Sequence, residues 1–295
     1  MIHEQSMNKI ALKDTVVLTT VYPIALQYFI EYLESLLVQS DRYFDIVIVN
    51  DGVENLSSIL DKYVQLSFVV LNAEETPSLN REKLINYAIK QSYNIAIFAD
   101  CDDCFSPQRV EITKKLLDQH DIIVNDLTLF NSEYIIQENY FSERFSNYQK
   151  ITFEDISNKN MFGLSNTAIK LKGLKFFSLD KRLVAIDWYV FSTLLLKGKN
   201  AIFTNDIVTD YRQHSNNTIG IGKLDKNLLK KSINIKQLHY TLMGSQSEEY
   251  YFLNQQLDSL RKQLNTDEKI NQYIDLFNKK NHFPLWWELP LYNEI

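Results

Sequence analysis

The chain has 295 residues, 45% of them hydrophobic and 23% charged, with only 7 glycines and 5 prolines. That composition excludes a disordered or fibrous protein and supplies a large core. A formal net charge of -6 sets the molecular field against phosphate backbones and excludes a general nucleic-acid binder.

In chain order, apolar β-rich runs alternate with stretches of helical period, the pattern of an α/β fold whose parallel sheet is covered by helices. Strands are predicted at 15–21, 44–49, 66–71 and 95–99, with helices at 25–38, 56–63 and 80–91 between them. In the first helix Leu26, Phe29, Ile30, Leu33, Leu36 and Leu37 fall near i, i+3, i+4 spacing. Each strand is nearly all apolar, as expected when both faces of a parallel sheet are buried. Ligands of such sheets bind beyond the carboxyl ends of the strands, where Asp51 and Asp100 sit. Ser106-Pro107 reads as an N-cap with proline at the first helical position, opening a helix to Leu117. Further strands are expected at 122–130, 134–136, 162–169 and 201–204, loops over 142–160, and a helix at 188–197. From Leu224 onward the chain is rich in Lys, Gln and Leu, a helical appendage ending in Trp286 and Trp287. The expected organisation is an α/β domain over 1–222 and a helical region over 223–295.

No apolar run reaches the roughly 18 residues of a membrane span. Residues 1–13 mix His3, Glu4, Gln5 and Asn8 without a hydrophobic signal segment, so the expected location is the cytoplasm. The helical region can pack on the α/β domain, form a homodimer, or contact the inner face of a membrane through Lys230, Lys231 and Lys236; sequence leaves the three open.

The acidic run Asp100-Cys101-Asp102-Asp103 stands on a turn at the end of a buried strand. Such a cluster repels itself unless a cation neutralises it, and Mg2+ or Mn2+ takes carboxylate oxygens while bridging to nucleotide phosphates. An acidic turn capping the next helix is the other reading of these residues alone. Cys101 and Cys104 form a C-x-x-C, but the intervening Asp102 and Asp103 disfavour the thiolate, and no second cysteine pair completes a zinc site. They read as two reduced thiols flanking a carboxylate site.

Six segments in order resemble the family 2 glycosyltransferases, bacterial inverting enzymes of the GT-A fold, over residues 15–220. Val17-Leu18-Thr19-Thr20-Val21-Tyr22 resembles the opening strand, and Ile46-Val47-Ile48-Val49-Asn50-Asp51-Gly52 the strand ending in two acids and a glycine. Residues 86–103 resemble the helix, strand and D-x-D-D element, and Gly163-Leu164-Ser165 an acceptor-side strand. Ile186-Asp187-Trp188 stands in the place of a Glu-Asp pair. Tyr211-Arg212-Gln213-His214 with Asn217 and Gly220 is similar to the ending of rhamnosyltransferase-like members.

The resemblance implies transfer of a sugar from a UDP-, dTDP- or GDP-sugar to a hydroxyl of a glycan or lipid-linked acceptor, in surface polysaccharide assembly. Asp51 would accept hydrogen bonds from base or ribose, with Thr20 and Tyr22 beside it on the donor side. Asp102 would hold the metal, Asp100 the ribose or a metal-bound water, and Asp187 would be the general base. Arg81 and Arg212 are candidates to contact phosphate or acceptor, since a guanidinium offers bidentate donors to anions. His214 is expected at the metal or the diphosphate, in a loop for which Asn216, Asn217 and Gly220 are suited. Ser165 and Trp188 are expected on the acceptor side, Trp188 by stacking on a sugar ring or else as a core residue.

Asn50, Val53 and Ile186 depart from the family's acid, serine and glutamate. They keep a non-catalytic binder of nucleotide sugars or glycans in view. A sugar nucleotidyltransferase is the rival enzyme, but Tyr22-Pro23-Ile24 replaces the Gly-rich basic loop that it would need. The Q-x-x-R-W element of processive synthases is absent, so a single addition is expected.

Overall fold

The structure, a computed structural model, describes residues 13–214 and 223–280. Strand β1 (Thr15–Val21) leads through a short 3-10 turn into helix α1 (Leu26–Leu37), followed by β2 (Asp45–Asn50), α2 (Leu56–Leu60), β3 (Ser67–Asn72), α3 (Pro77–Lys90) and β4 (Ile95–Phe98). Next come β5 (Cys104–Phe105), α4 (Arg109–Leu117), β6 (Ile122–Phe130), β7 (Ile135–Gln137), β8 (Lys150–Ile151), α5 (Phe153–Ile156) and β9 (Thr167–Lys170). The chain continues with α6 (Ile186–Leu196), β10 (Ala201–Arg212), α7 (Lys226–Met243), α8 (Glu248–Gln263) and α9 (Asp267–Lys280).

One sheet orders the strands β3-β2-β1-β4-β9-β6-β10-β5, with β7 on β6 and β8 on β10. The first four strands pair in parallel, while β9 runs antiparallel between β4 and β6. Two reversals restore direction, so β6 and β10, parallel to one another, end on the same edge as β1, β2 and β4. The mixed, mainly parallel sheet is the expected α/β architecture.

Successive residues of a strand feed two different cores. Val16, Leu18, Val47 and Val49 lie in one cluster, Val17, Val21, Ile46 and Ile48 in the other. Period-2 alternation with both faces buried is what produces near-continuous apolar strands. The first cluster runs unbroken into α7, α8 and α9 through Met243, Tyr250 and Phe277, so the helical region shares its core with the sheet. Lys236, expected on a solvated face, is instead buried in that junction and donates to the Asn158 carbonyl.

Local chemistry explains where the predicted elements shift. Helix α3 starts at Pro77, because Thr76 caps it by accepting from the Leu79 amide at 3.3 Å, with proline at the first helical position. Ser106 does not cap α4. Its hydroxyl accepts from the Val208 amide at 3.1 Å, and the helix begins at Arg109. The strand expected at 162–169 shortens to β9, since Asn160 and Asn166 tie their side chains to the backbone of Met161, Phe162 and Gly163. The strand expected to stop at Thr204 passes an irregularity at Asn205 and Asp206 and continues to Arg212.

Candidate functional site

The strand ends that share one edge carry the candidate residues. At the end of β2, Asn50 closes the turn on itself: its side chain donates to the Val53 carbonyl at 2.9 Å and accepts from the Val53 amide at 2.8 Å. Gly52 has φ 87°, a left-handed conformation that a side chain would strain. The departure at Asn50 is thus a turn-building device. Asp51 follows, its amide donating to the Val21 carbonyl at 2.8 Å and its carboxylate accepting from buried Asn80 at 3.3 Å. Asn80 also accepts from the Glu74 amide at 2.6 Å, and nothing in the sequence singled it out. Thr20 is buried near the end of β1, and Tyr22 is half-buried just beyond it. Burial chiefly, then the charges of Asp102, Cys101 and Asp100, raise the Tyr22 hydroxyl above its ordinary range.

That turn divides its acids between three environments. Asp100 pairs with Arg81, which also donates to the Ala99 carbonyl. Burial raises the Asp100 carboxyl, with Arg81 opposing and Asp102 adding repulsion. Asp103 is buried; it accepts from the Arg212 amide at 2.8 Å, and burial pushes its carboxyl well above the usual range. Beneath it lies Arg109, fully buried, donating to the Ser165 carbonyl and the Thr209 hydroxyl. Burial pushes the Arg109 guanidinium down to about 9, with the Asp103 charge opposing. Asp102 turns toward the segment just beyond the last strand, where its carboxylate lies 2.9 Å from Nε2 of His214, 112 residues away in sequence.

β10 delivers His214 to that point. Its pairing with β5 sets Asp210 opposite Cys104 and Thr209 opposite Phe105, so the far side of the acidic turn is a rung of the sheet. Arg212 is 6% exposed, donates from Nε to the Asp102 carbonyl at 2.9 Å and pairs with Glu31. The structure thus uses both Arg81 and Arg212 to fasten the acidic turn. Both cysteines are free; burial pushes the Cys104 thiol up to about 12 and the Cys101 thiol well above its ordinary value. The reduced-thiol reading fits.

Asp187 lies in the first turn of α6, where the Trp188 amide donates to its carboxylate at 2.7 Å. It is 8% exposed, and burial raises its carboxyl to about 7, with Asp100 adding repulsion and Arg81 opposing. Asp187, Asp100 and Arg81 therefore share one electrostatic neighbourhood. Two expectations need correction. Trp188 is fully buried, stacked on His239 at 3.9 Å and bonded through its indole N–H to the Ile156 carbonyl, so it presents no face to a sugar. The cause is that α6 is apolar on nearly every side and is covered by α7. Ser165 is buried too, its carbonyl taken by Arg109 and Thr209, and it presents nothing to an acceptor. Asn216, Asn217, Gly220, Trp286 and Trp287 lie outside the described residues.

Among the described residues no group of three or more His, Cys, Asp or Glu side chains is gathered to hold a metal. Asp102 and His214 offer one carboxylate and one imidazole. Mg2+-class ions keep several waters and often take only one or two carboxylates plus substrate phosphates, so this pair fits an ion that arrives with a diphosphate. No described helix is long and apolar enough to cross a membrane.

Known proteins resemble this chain in sequence and in fold. A Rickettsia felis protein described as an uncharacterized glycosyltransferase is 30% identical over 125 residues, 40% of this chain but only 20% of that protein. The structure of S. aureus TarS 1-349 in complex with UDP-GlcNAc aligns with TM-score 0.58 at 18% identity, covering 82% of this chain and 70% of that one. The mannosyltransferase PcManGT from Pyrobaculum calidifontis, in complex with GDP-Man and Mn2+, aligns with TM-score 0.54 at 15% identity, covering 81% of this chain and 66% of that one. At such identities the two structures establish a shared GT-A fold. Residues 17–183, more than half of the chain, match glycosyl transferase family 2, and the chain belongs to that family.

Proposed function

We propose that this protein is an inverting, divalent-metal-dependent glycosyltransferase that moves one sugar from a nucleoside-diphosphate donor to a hydroxyl of a glycan or glycoconjugate. The observation that carries the reading is the meeting of Asp102 and His214 across the sheet edge. A carboxylate at the end of β4 and an imidazole beyond β10 are brought together where strand ends in this kind of sheet receive ligands. That TarS and PcManGT are described in complex with UDP-GlcNAc and with GDP-Man and Mn2+ supports the same chemistry here.

Asp51, steadied by Asn80, receives the base or ribose, and Thr20 and Tyr22 line the donor side. Asp102 and His214 hold Mn2+ or Mg2+, which when bound offsets charge on the departing diphosphate. Arg81 neutralises Asp100 and keeps it aimed at the ribose side. Asp187 takes the acceptor hydroxyl proton as that oxygen bonds to the anomeric carbon. The bond from the anomeric carbon to the diphosphate oxygen breaks with its electron pair, giving inversion in one displacement. A carboxyl held at about 7 by burial is a suitable base, because catalysis favours a proton acceptor matched to the working pH. The chain's division into a catalytic domain over 1–222 and a helical region over 223–295 goes with this reading, the helices backing α6 from the core side.

Asp102→Ala tests it. The variant is expected to fold as the wild type does and to lose Mn2+-dependent binding of UDP or GDP. Equal nucleotide affinity in variant and wild type, with and without chelator, would overturn the assignment.

A further inference from the structure

The end of β10 is gripped from a direction the sequence did not suggest. Tyr28 and Glu31, three residues apart on α1, face the same way by helical spacing. The Tyr28 ring stacks on His214 with centroids 5.2 Å apart and an interplanar angle of 26°. It also receives the Arg212 guanidinium, whose carbon lies 4.5 Å from the Tyr28 ring centroid and 4.4 Å from that of Phe130. Glu31 pairs with the same guanidinium. Arg212 in turn donates from its backbone to Asp103 and from Nε to the Asp102 carbonyl.

We propose that Tyr28 and Glu31 are positioning residues that clamp the segment from Arg212 to His214 onto the acidic turn, so that the two metal-holding side chains meet before any ligand arrives. The inference rests on the function proposed above and adds to it two residues of the first helix. The physical need is plain. His214 follows the last rung of the sheet, where no strand pairing fixes its position, and ordering it costs conformational entropy that side-chain contacts must offset. Tyr28 restrains the imidazole by stacking, and Glu31 restrains the guanidinium by charge. Groups that orient metal ligands without touching the metal commonly change its affinity by about 10- to 100-fold when removed.

The test reads Mn2+ binding directly, from the electron paramagnetic resonance signal of free Mn2+, with UDP and separately GDP present. Tyr28→Ala and Glu31→Ala are expected to weaken Mn2+ binding about tenfold or more, while their melting temperatures in metal-free buffer stay close to wild type. Tyr28→Phe keeps the stacking ring and is expected to bind Mn2+ as the wild type does. Wild-type affinity in both alanine variants overturns the clamp and leaves the function standing. A melting temperature that falls while Mn2+ affinity holds also overturns it, by showing a role in stability alone. A Tyr28→Phe variant as weak as Tyr28→Ala overturns the stacking argument. If Tyr28→Ala fails to fold, Glu31→Ala decides, since Glu31 is largely exposed. Wild-type Mn2+ affinity in Asp102→Ala would sink the functional reading, and the clamp with it.

Discussion

Replacing Asp187 by asparagine separates catalysis from stability, because the two depend on its charge with opposite sign. Burial holds this carboxyl at about 7, whereas an aspartate in an unfolded chain titrates near 3.9. The gap corresponds to roughly 4 kcal/mol, the cost of ionising the group in place. Between about pH 4 and pH 7 the folded protein keeps the proton and the unfolded chain releases it, so this group's contribution to stability falls as pH rises through that window. Above it the carboxylate is charged and strained by desolvation. Asparagine carries no charge and can still accept from the Trp188 amide. The variant is therefore expected to melt higher than wild type at pH 8, by up to roughly 4 kcal/mol of stability, and no higher below about pH 4. Its turnover is expected to drop by about 10² to 10⁴, the usual worth of general-base assistance. In wild type the donor-saturated rate should climb with pH and level off above about 7, with about one-tenth of the plateau at pH 6. Nucleoside diphosphate release followed across pH, beside melting curves at pH 3.5 and 8, reads all of this. A rate already level at pH 5, or equal stabilities at pH 8, would refute the buried-base argument. Full activity of the variant would assign the base elsewhere.

Other expectations follow from the same geometry. Trp188→Ala should cost about 3–5 kcal/mol of stability, as large core truncations do, and should lower turnover by loosening the first turn of α6; melting and kcat measured together check this, and a stable, fully active variant would contradict it. His214→Ala should need more Mn2+ for half-maximal donor binding, measured by Mn2+ titration at fixed nucleotide; an unchanged requirement would remove His214 from the site. His239 is fully buried with neither ring nitrogen bonded among the described residues, and burial first, then Lys236, holds its imidazole well below the ordinary value. Because the unfolded chain takes up that proton and the folded chain does not, stability is lost as pH falls below about 6.5. His239→Phe should raise the melting temperature at pH 5.5 more than at pH 8, and a pH-independent effect would contradict the reading.

The strands and the acidic turn were legible because burial on both faces demands unbroken apolar runs such as 46–49 and 95–99, and because a turn between such strands must be polar. The order of motifs along the chain then carried the family. What stayed hidden depends on partners far away in sequence. Trp188 reads as an aromatic beside a base, and only the packing of α7, with His239 against its ring, makes it core. Arg212 reads only as a candidate for phosphate or acceptor, and nothing near it in sequence points to Tyr28, Glu31 and Phe130 as its neighbours. Ser106 has the composition of a cap, but a hydroxyl serves whichever amide is nearest, here that of Val208. The continuation of β10 past Asn205 and Asp206 was hidden for a simpler reason: two exposed polar residues end a strand pattern, although the ladder with β6 resumes at Val208.

The central claim is sugar transfer from a nucleotide donor at the Asp102–His214 site. Its most direct measurement is release of nucleoside diphosphate from a panel of UDP-, dTDP- and GDP-sugars with Mn2+, comparing the wild type with Asp102→Ala. The account predicts slow release from at least one donor with water as acceptor, abolished by chelator and by the substitution. No release and no binding from any donor, or exchange of pyrophosphate in place of sugar transfer, would contradict it.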